Sequence, residues 1–223
     1  MSGYAELHCH STFSLLDGAS DPERLVERAV ALGLQALALT DHDDVGGAVR
    51  FSTAARAAGL SAIQGAELTV DVPLPAGLGL AAAEALPGRV LGEDGVPRLR
   101  THVVVLAESR TGWGNLCTLI TRARLDHPRG EPRVTLDQLV AHTEGLFALT
   151  ACPRGWVPQL LALGEGTART APLLAHAEAE RLAREALGTL SEAFQRRLAV
   201  ECWDHALPEE RALVERLLPL ARA

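Results

Sequence analysis

Short apolar stretches alternate with amphipathic ones along most of this chain, and that alternation restricts the fold more than any other feature. Ala5 to His8 reads as a strand. Ser20-Asp21-Pro22-Glu23 then supplies a helix start: a capping side chain, a proline in the first turn and an acid near the positive helix end. Leu25, Val26, Ala29, Val30 and Leu32 recur at helical spacing, and Gly33 stops the helix. A buried strand over Ala36 to Thr40, a small-residue helix over Gly47 to Ala58 and a strand over Ser61 to Gln64 repeat the unit. Further strands are expected at 102–107, 146–150 and 197–202, and further helices at 113–125, 136–142, 157–163, 172–187 and from 209 onward. Between Asp71 and Arg100 the pattern dissolves into Pro, Gly and Ala. This reads as an irregular insertion within a single domain spanning 1–223, because the alternation resumes directly after it.

Repeated βα units build a parallel sheet with helices outside it, open or closed into a barrel. In either version polar chemistry belongs at the carboxyl ends of the strands. The chain has 223 residues, 48% of them hydrophobic and 22% charged, which suits a soluble globular domain with a real core. It is too short to be a polymerase by itself. A net charge of −7 argues against an autonomous nucleic-acid binder, which shows a basic face. All 21 basic residues are Arg, a coding bias with no chemical meaning. No run approaches the roughly 20 apolar residues of a membrane helix, and no signal peptide opens the chain. A cytoplasmic protein with reduced thiols is expected. Cys9, Cys117, Cys152 and Cys202 lack the spacing of a disulfide framework or a zinc finger.

The polar residues follow the strand-end rule. His8 and His10 share one face where the first strand ends, with Cys9 on the other. Asp17 follows in an Asp-Gly pair, which by itself is a turn signal. The second strand ends in Thr40-Asp41-His42-Asp43-Asp44, and capping one helix accounts for only one of those acids. Such a cluster is costly unless a cation or solvent satisfies it. The third strand leads into Gly65-Ala66-Glu67. Three consecutive strands thus deliver His/His, Asp/His and Glu to one rim. Mixed His and carboxylate donors suit zinc, manganese or iron, and paired metals promote phosphoester hydrolysis. No nucleophile-elbow serine and no phosphate-cradling glycine loop is present.

His8-x-His10, Asp17-Gly18-Ala19, Thr40-Asp41-His42-Asp43, Gly65-Ala66-Glu67, Thr101-His102 and Thr150-Ala151-Cys152 resemble, in order and spacing, the PHP (polymerase and histidinol phosphatase) domain. Tyr4-Ala5-Glu6-Leu7-His8, Val49-Arg50-Phe51 and Gly112-Trp113-x-Asn115-Leu116 narrow the likeness to the PHP domains that begin bacterial DNA polymerase III α subunits, in particular the error-prone type. The resemblance covers nearly the whole chain. It implies an α/β fold, a distorted (β/α)7 barrel, with two or three divalent metal ions, zinc foremost and manganese or iron as alternatives. It makes His8, His10, Asp17, His42, Glu67, His102 and Cys152 metal ligands, with Asp17, His42 and Glu67 catalytic through the bound metals. Asp41 becomes a residue that orients an imidazole, and Arg154 a contact for a substrate phosphate. His102 opens its expected strand rather than closing it, which puts it on the wrong rim of a simple parallel barrel. Glu201 and His205 match a polar segment of the polymerase domains, though solvent-facing groups fit them equally well. His127, His142 and His176 have no partner motif.

The family pattern continues with another strand and an Asn/Asp-x-His metal motif, so a barrel short of its last strand and ligand motif is expected. Two functions remain open. One is a metal-dependent phosphoesterase acting on a phosphorylated small molecule or on a DNA 3′ end as a proofreading exonuclease. The other is a catalytically inactive, metal-stabilised module or piece of an error-prone DNA polymerase. Other polymerase or DNA-repair subunits are candidate partners, and membranes are not.

Overall fold

The structure, a computed structural model, describes residues 3–75, 78, 84, 88–92, 94–165, 172–203 and 207–222. It is a mixed α/β fold. Its strands are β1 (Ala5–Glu6), β2 (Ala36–Leu39), β3 (Ser61–Pro73), β4 (Arg89–Leu91), β5 (Pro97–Ala107), β6 (Val134–Thr135), β7 (Leu146–Leu149) and β8 (Leu198–Ala199). Its described helices are α1 (Pro22–Ala31), α2 (Ala48–Ala58), α3 (Arg110–Leu125), α4 (Leu136–Val140), α5 (Trp156–Ala162), α6 (His176–Phe194) and α7 (Pro208–Ala221). Hydrogen bonds order the strands β1-β2-β3-β5-β7-β8, with β4 beside β5 and β6 beside β3. The chain forms two compact units, one of Met1–Thr69, Val104–Val134 and Ala141–Phe147, the other of Val70–Val103, Thr135–Val140 and Ala148–Ala223.

In the first unit β1, β2 and β3 pair in parallel, Ala5 opposite Ala36 and Ala36 opposite Ser61. The strands stay in place because their inward side chains share a core with two helices: Leu37 and Leu39 pack with Val26 and Ala29 of α1 and with Phe51 and Ala55 of α2. α1 starts at Pro22, whose missing N–H costs nothing in a first turn. Asp21 precedes it without making the expected capping bond. Its Oδ1 instead accepts the Thr12 hydroxyl at 3.0 Å, so the anticipated cap is a tether to the preceding loop. α2 ends at Gly59, whose φ of 69° closes the helix in the left-handed region.

In the second unit β7 and β8 pair in parallel, Ala148 opposite Leu198, and β4 pairs antiparallel with the start of β5. α5 is apolar nearly all round and packs on α6 and α7. The stretch expected to be irregular from Asp71 to Arg100 is strand at both ends: β3 runs on to Pro73, and β5 begins at Pro97. A two-pronged ion pair of Arg100 with Asp71, at 2.9 and 3.2 Å, ties those ends together. Residues 76–77, 79–83, 85–87 and 93 of that stretch lie outside the described residues, as does His205. Since β5 starts at Pro97, His102 sits inside a strand and does not open one.

Candidate metal centre

The parallel register carries the polar residues together. His42, past the end of β2, bridges Glu67 within β3, in the same frame that sets Ala36 opposite Ser61 and Leu39 opposite Gln64. Asp43 N–H donates to the Glu67 carbonyl (2.9 Å), which extends the ladder into the site. Past β1, the Thr40 N–H donates to the Cys9 carbonyl (2.9 Å) and so places the His8–His10 stretch beside the end of β2. Gly65 lets β3 come close at this point: a Cβ there would stand 2.5 Å from the Val105 carbonyl oxygen.

Glu67, with 1% of its side chain exposed, is the hub. Its Oε2 lies 3.4 Å from His8 Nε2, 3.2 Å from His10 Nε2 and 3.1 Å from His42 Nδ1. His8 Nε2 and His10 Nε2 are 3.1 Å apart. Asp17 Oδ2 reaches the other nitrogen of His42, Nε2, at 3.0 Å. The His10 and His42 rings stack with centroids 4.4 Å apart. Two donors bonded to one ion at about 2.0–2.1 Å sit roughly 3.0–3.4 Å from each other. The triangle of His8 Nε2, His10 Nε2 and a Glu67 oxygen therefore has the edges of a ligand face, and its nitrogen and oxygen donors match zinc, manganese or iron. Nitrogens and carboxylate oxygens gathered this closely, around a buried acid, fit a divalent cation.

The loop that supplies Asp17 is a tight turn as well. Asp17 N–H and Gly18 N–H both donate to the Ser14 carbonyl, at 3.1 and 2.8 Å. Gly18 passes so near the chain that a Cβ would stand 1.8 Å from the Ser11 carbonyl oxygen. The turn reading of Asp17-Gly18 is thus realised by the backbone, while the Asp17 side chain stands beside His42.

The acids after β2 divide differently from the expectation that a cation or solvent must satisfy them. Asp41 is buried and accepts from Ser11 N–H (2.6 Å), Ser11 Oγ (2.7 Å) and Ser14 Oγ (2.8 Å). Asp43 takes the left-handed backbone at φ 47° and accepts from Thr69 N–H (2.8 Å) and Thr69 Oγ1 (2.7 Å). Asp44 accepts from Gly46 N–H and from Arg124. Hydroxyls, amides and one guanidinium satisfy these carboxylates, and the side chain left for the hub is His42. Cys9 packs against the core, and burial with the Glu6 and Asp41 charges pushes its thiol up to about 11. It stays a neutral thiol at neutral pH.

In the second unit, His102 N–H donates to the Arg154 carbonyl (3.1 Å), and the Thr101 hydroxyl donates to the same oxygen (3.0 Å). His102, Arg154, Arg100 and Gln159 line a cavity of about 350 Å³. Cys152 is half-buried and follows Ala151, a buried residue held in the left-handed region at φ 65°. Its carbonyl accepts from Gly155 N–H at 2.7 Å. Glu201 N–H donates to Thr150 Oγ1 (2.9 Å).

The PHP domain model matches residues 6–205. This chain belongs to the PHP domain family. A DNA polymerase III subunit alpha from Treponema pallidum is 37% identical over 98% of this PHP chain, and an error-prone DNA polymerase from Cutibacterium acnes is 44% identical over 72% of it. The chain spans only 16% and 13% of those two relatives. A solved structure of a candidate metal-dependent phosphoesterase from Bifidobacterium adolescentis aligns over 100% of this chain and 84% of its own, with 20% identity and a TM-score of 0.46.

Ser11 and Ser14 also belong to the site, as donors to Asp41. Their signal was their place: two hydroxyls, three residues apart, between an HxH pair and an Asp-Gly turn.

Proposed function

We propose that this PHP domain is a metal-dependent phosphoesterase whose divalent ions are held by His8, His10, Asp17, His42 and Glu67. The convergence of three imidazoles on one oxygen of a buried carboxylate carries the reading. A divalent ion there supplies Lewis-acid polarisation of a phosphoryl group and acidifies water at neutral pH. Glu67, shielded from solvent, fixes the charge of the site, while the partly exposed Asp17 carboxylate marks the side from which an ester enters. Asp41 holds the serine loop in place. The resemblance adds His102 and Cys152 as ligands and Arg154 as a phosphate contact, each testable by substitution.

The substrate is a phosphomonoester or a DNA 3′ end, and the setting a replication or repair assembly in the cytoplasm. The names of the polymerase relatives support that setting. The test is metal analysis of the purified protein beside hydrolysis of a generic phosphodiester and a phosphomonoester, with and without chelator. Two or more bound ions with chelator-sensitive turnover are expected, and Asp17→Asn abolishes turnover while the protein stays folded. Bound ions without turnover on any ester support the second reading, a metal-stabilised module of a polymerase, in keeping with the names of the relatives. Absence of bound metal refutes both.

A further inference from the structure

The hydrogen bonds around Ser14 determine which nitrogen of His10 carries its proton. Ser14 Oγ has three neighbours: Asp41 Oδ1 at 2.8 Å, the His42 main-chain N–H at 3.0 Å and His10 Nδ1 at 2.9 Å. A hydroxyl has one proton to give and two lone pairs with which to accept. The Asp41 carboxylate only accepts, and it already takes the Ser11 amide and the Ser11 hydroxyl, so the Ser14 proton goes to it. The His42 amide only donates and occupies one lone pair. The remaining lone pair faces His10 Nδ1, which must therefore bear a hydrogen. A neutral imidazole has a single N–H. His10 Nε2, 3.2 Å from Glu67 Oε2 and 3.1 Å from His8 Nε2, is then the lone-pair nitrogen, turned toward the hub.

We infer that Ser14 is a positioning residue which locks His10 in the Nδ1–H tautomer, so that Nε2 is presented to a divalent cation without any rearrangement of protons. The inference rests on the metal-centre reading above and adds to it a residue that reaches the cation only through His10. Ser14 is suited to this. It is 1% exposed, so no water competes for its oxygen. One atom also anchors two of the hub's imidazole residues, His10 through its ring and His42 through its backbone. Asp41 acts at one remove. Its carboxylate holds the Ser14 proton and thereby leaves the serine oxygen as an acceptor for the ring. That chain of Asp41, Ser14 and His10 does the work that a carboxylate bonded directly to a ligand imidazole does elsewhere, where loss of the outer partner typically costs 10–100-fold in metal affinity.

Two measurements test this. In the metal-free wild-type protein, long-range ¹H–¹⁵N NMR above the histidine titration reports the proton on His10 directly. Nδ1–H is expected, and Nε2–H overturns the assignment with no variant needed. Zn²⁺ titration against a chromophoric chelator then compares wild type with Ser14→Ala. A 10–100-fold loss of Zn²⁺ affinity is expected, together with a His10 ¹⁵N pattern that moves toward a mixture of tautomers, while circular dichroism shows a folded chain. A merely structural serine would leave the His10 tautomer unchanged. Wild-type Zn²⁺ affinity in folded Ser14→Ala overturns the role of Ser14 alone. Failure of the wild-type protein to take up Zn²⁺ overturns the metal-centre reading and this proposal with it.

Discussion

Gly18→Ala is the substitution that most directly probes how the site loop is built. An alanine Cβ at this position would stand 1.8 Å from the Ser11 carbonyl oxygen and 2.4 Å from its carbon, whereas real Cβ atoms essentially never come within 3.0 Å of another heavy atom. The two backbone segments must separate by about 1.2 Å, and no flexible side chain is there to give way. Overpacking of this kind costs roughly 1–3 kcal/mol, and the upper half of that range applies because the obstacle is main chain. For a protein of this size each kcal/mol moves the melting temperature by about 2–4 °C, so a fall of roughly 4–12 °C is expected in thermal unfolding followed by circular dichroism. The displacement also shifts Asp17, whose carboxylate stands 3.0 Å from His42 Nε2, and Ser11, which holds Asp41 through two bonds. Misplacement by about 1 Å can cost on the order of 100-fold in rate, so the hydrolysis proposed above is expected to fall in Gly18→Ala along with stability. Asp17→Ala is the control: it keeps the turn, which is made by main-chain bonds to Ser14, and melts close to wild type. A Gly18→Ala protein that melts within 1 °C of wild type refutes the close-approach argument.

Phe51 is fully buried at the centre of the core under β2, and Phe51→Ala should cost about 3–5 kcal/mol, read as a lowered denaturant midpoint; a cost below about 1 kcal/mol would show that this core does not hold the sheet. Cys9 governs a pH effect. In the folded protein burial raises its thiol from an ordinary 9.0 to about 11. The stability from keeping the thiol neutral is complete below pH 9 and drains away as pH rises toward 11, about 3 kcal/mol in all at 1.36 kcal/mol per unit. Urea midpoints at pH 8 and pH 11 should therefore differ more in wild type than in Cys9→Ala, and equal differences would sink the assignment.

Periodicity and punctuation located most elements. The helix opened by Ser20-Asp21-Pro22-Glu23 and stopped at Gly33, and the strand over Ala36 to Thr40, lie within a residue or two of α1 and β2, since each carries its own apolar pattern and stop signal. The strand expected from sequence stops at Gln64, short of the Pro73 end of β3, because Glu67 and Asp71 interrupt its apolar run. Both acids are buried in the fold, one at the hub and one against Arg100, and a partner 29 residues away leaves no local trace. β4 and the early part of β5 hide in a Pro- and Gly-rich stretch for the same reason: antiparallel pairing is a property of two segments, not of one. At the site, the imidazoles and Glu67 announce themselves by type and by their place after apolar strands. Asp41, Asp43 and Asp44 look alike in sequence, and only the folded hydrogen bonds separate a loop anchor, a backbone clamp and a helix-end contact. Ser14 is not legible in the sequence, because a serine in a turn is ordinary until three particular groups surround it.

The shared frame of β2 and β3 has a consequence for how this protein tolerates change. His42 faces Glu67 only because two neighbouring ribbons are aligned, and sliding one past the other by a single residue would turn imidazole and carboxylate toward opposite sides. Insertions in the connection between them, as at the solvent-facing Gly59 corner, leave that alignment alone and should be absorbed. A deletion inside either ribbon would dismantle the centre even if every residue named in it were still present.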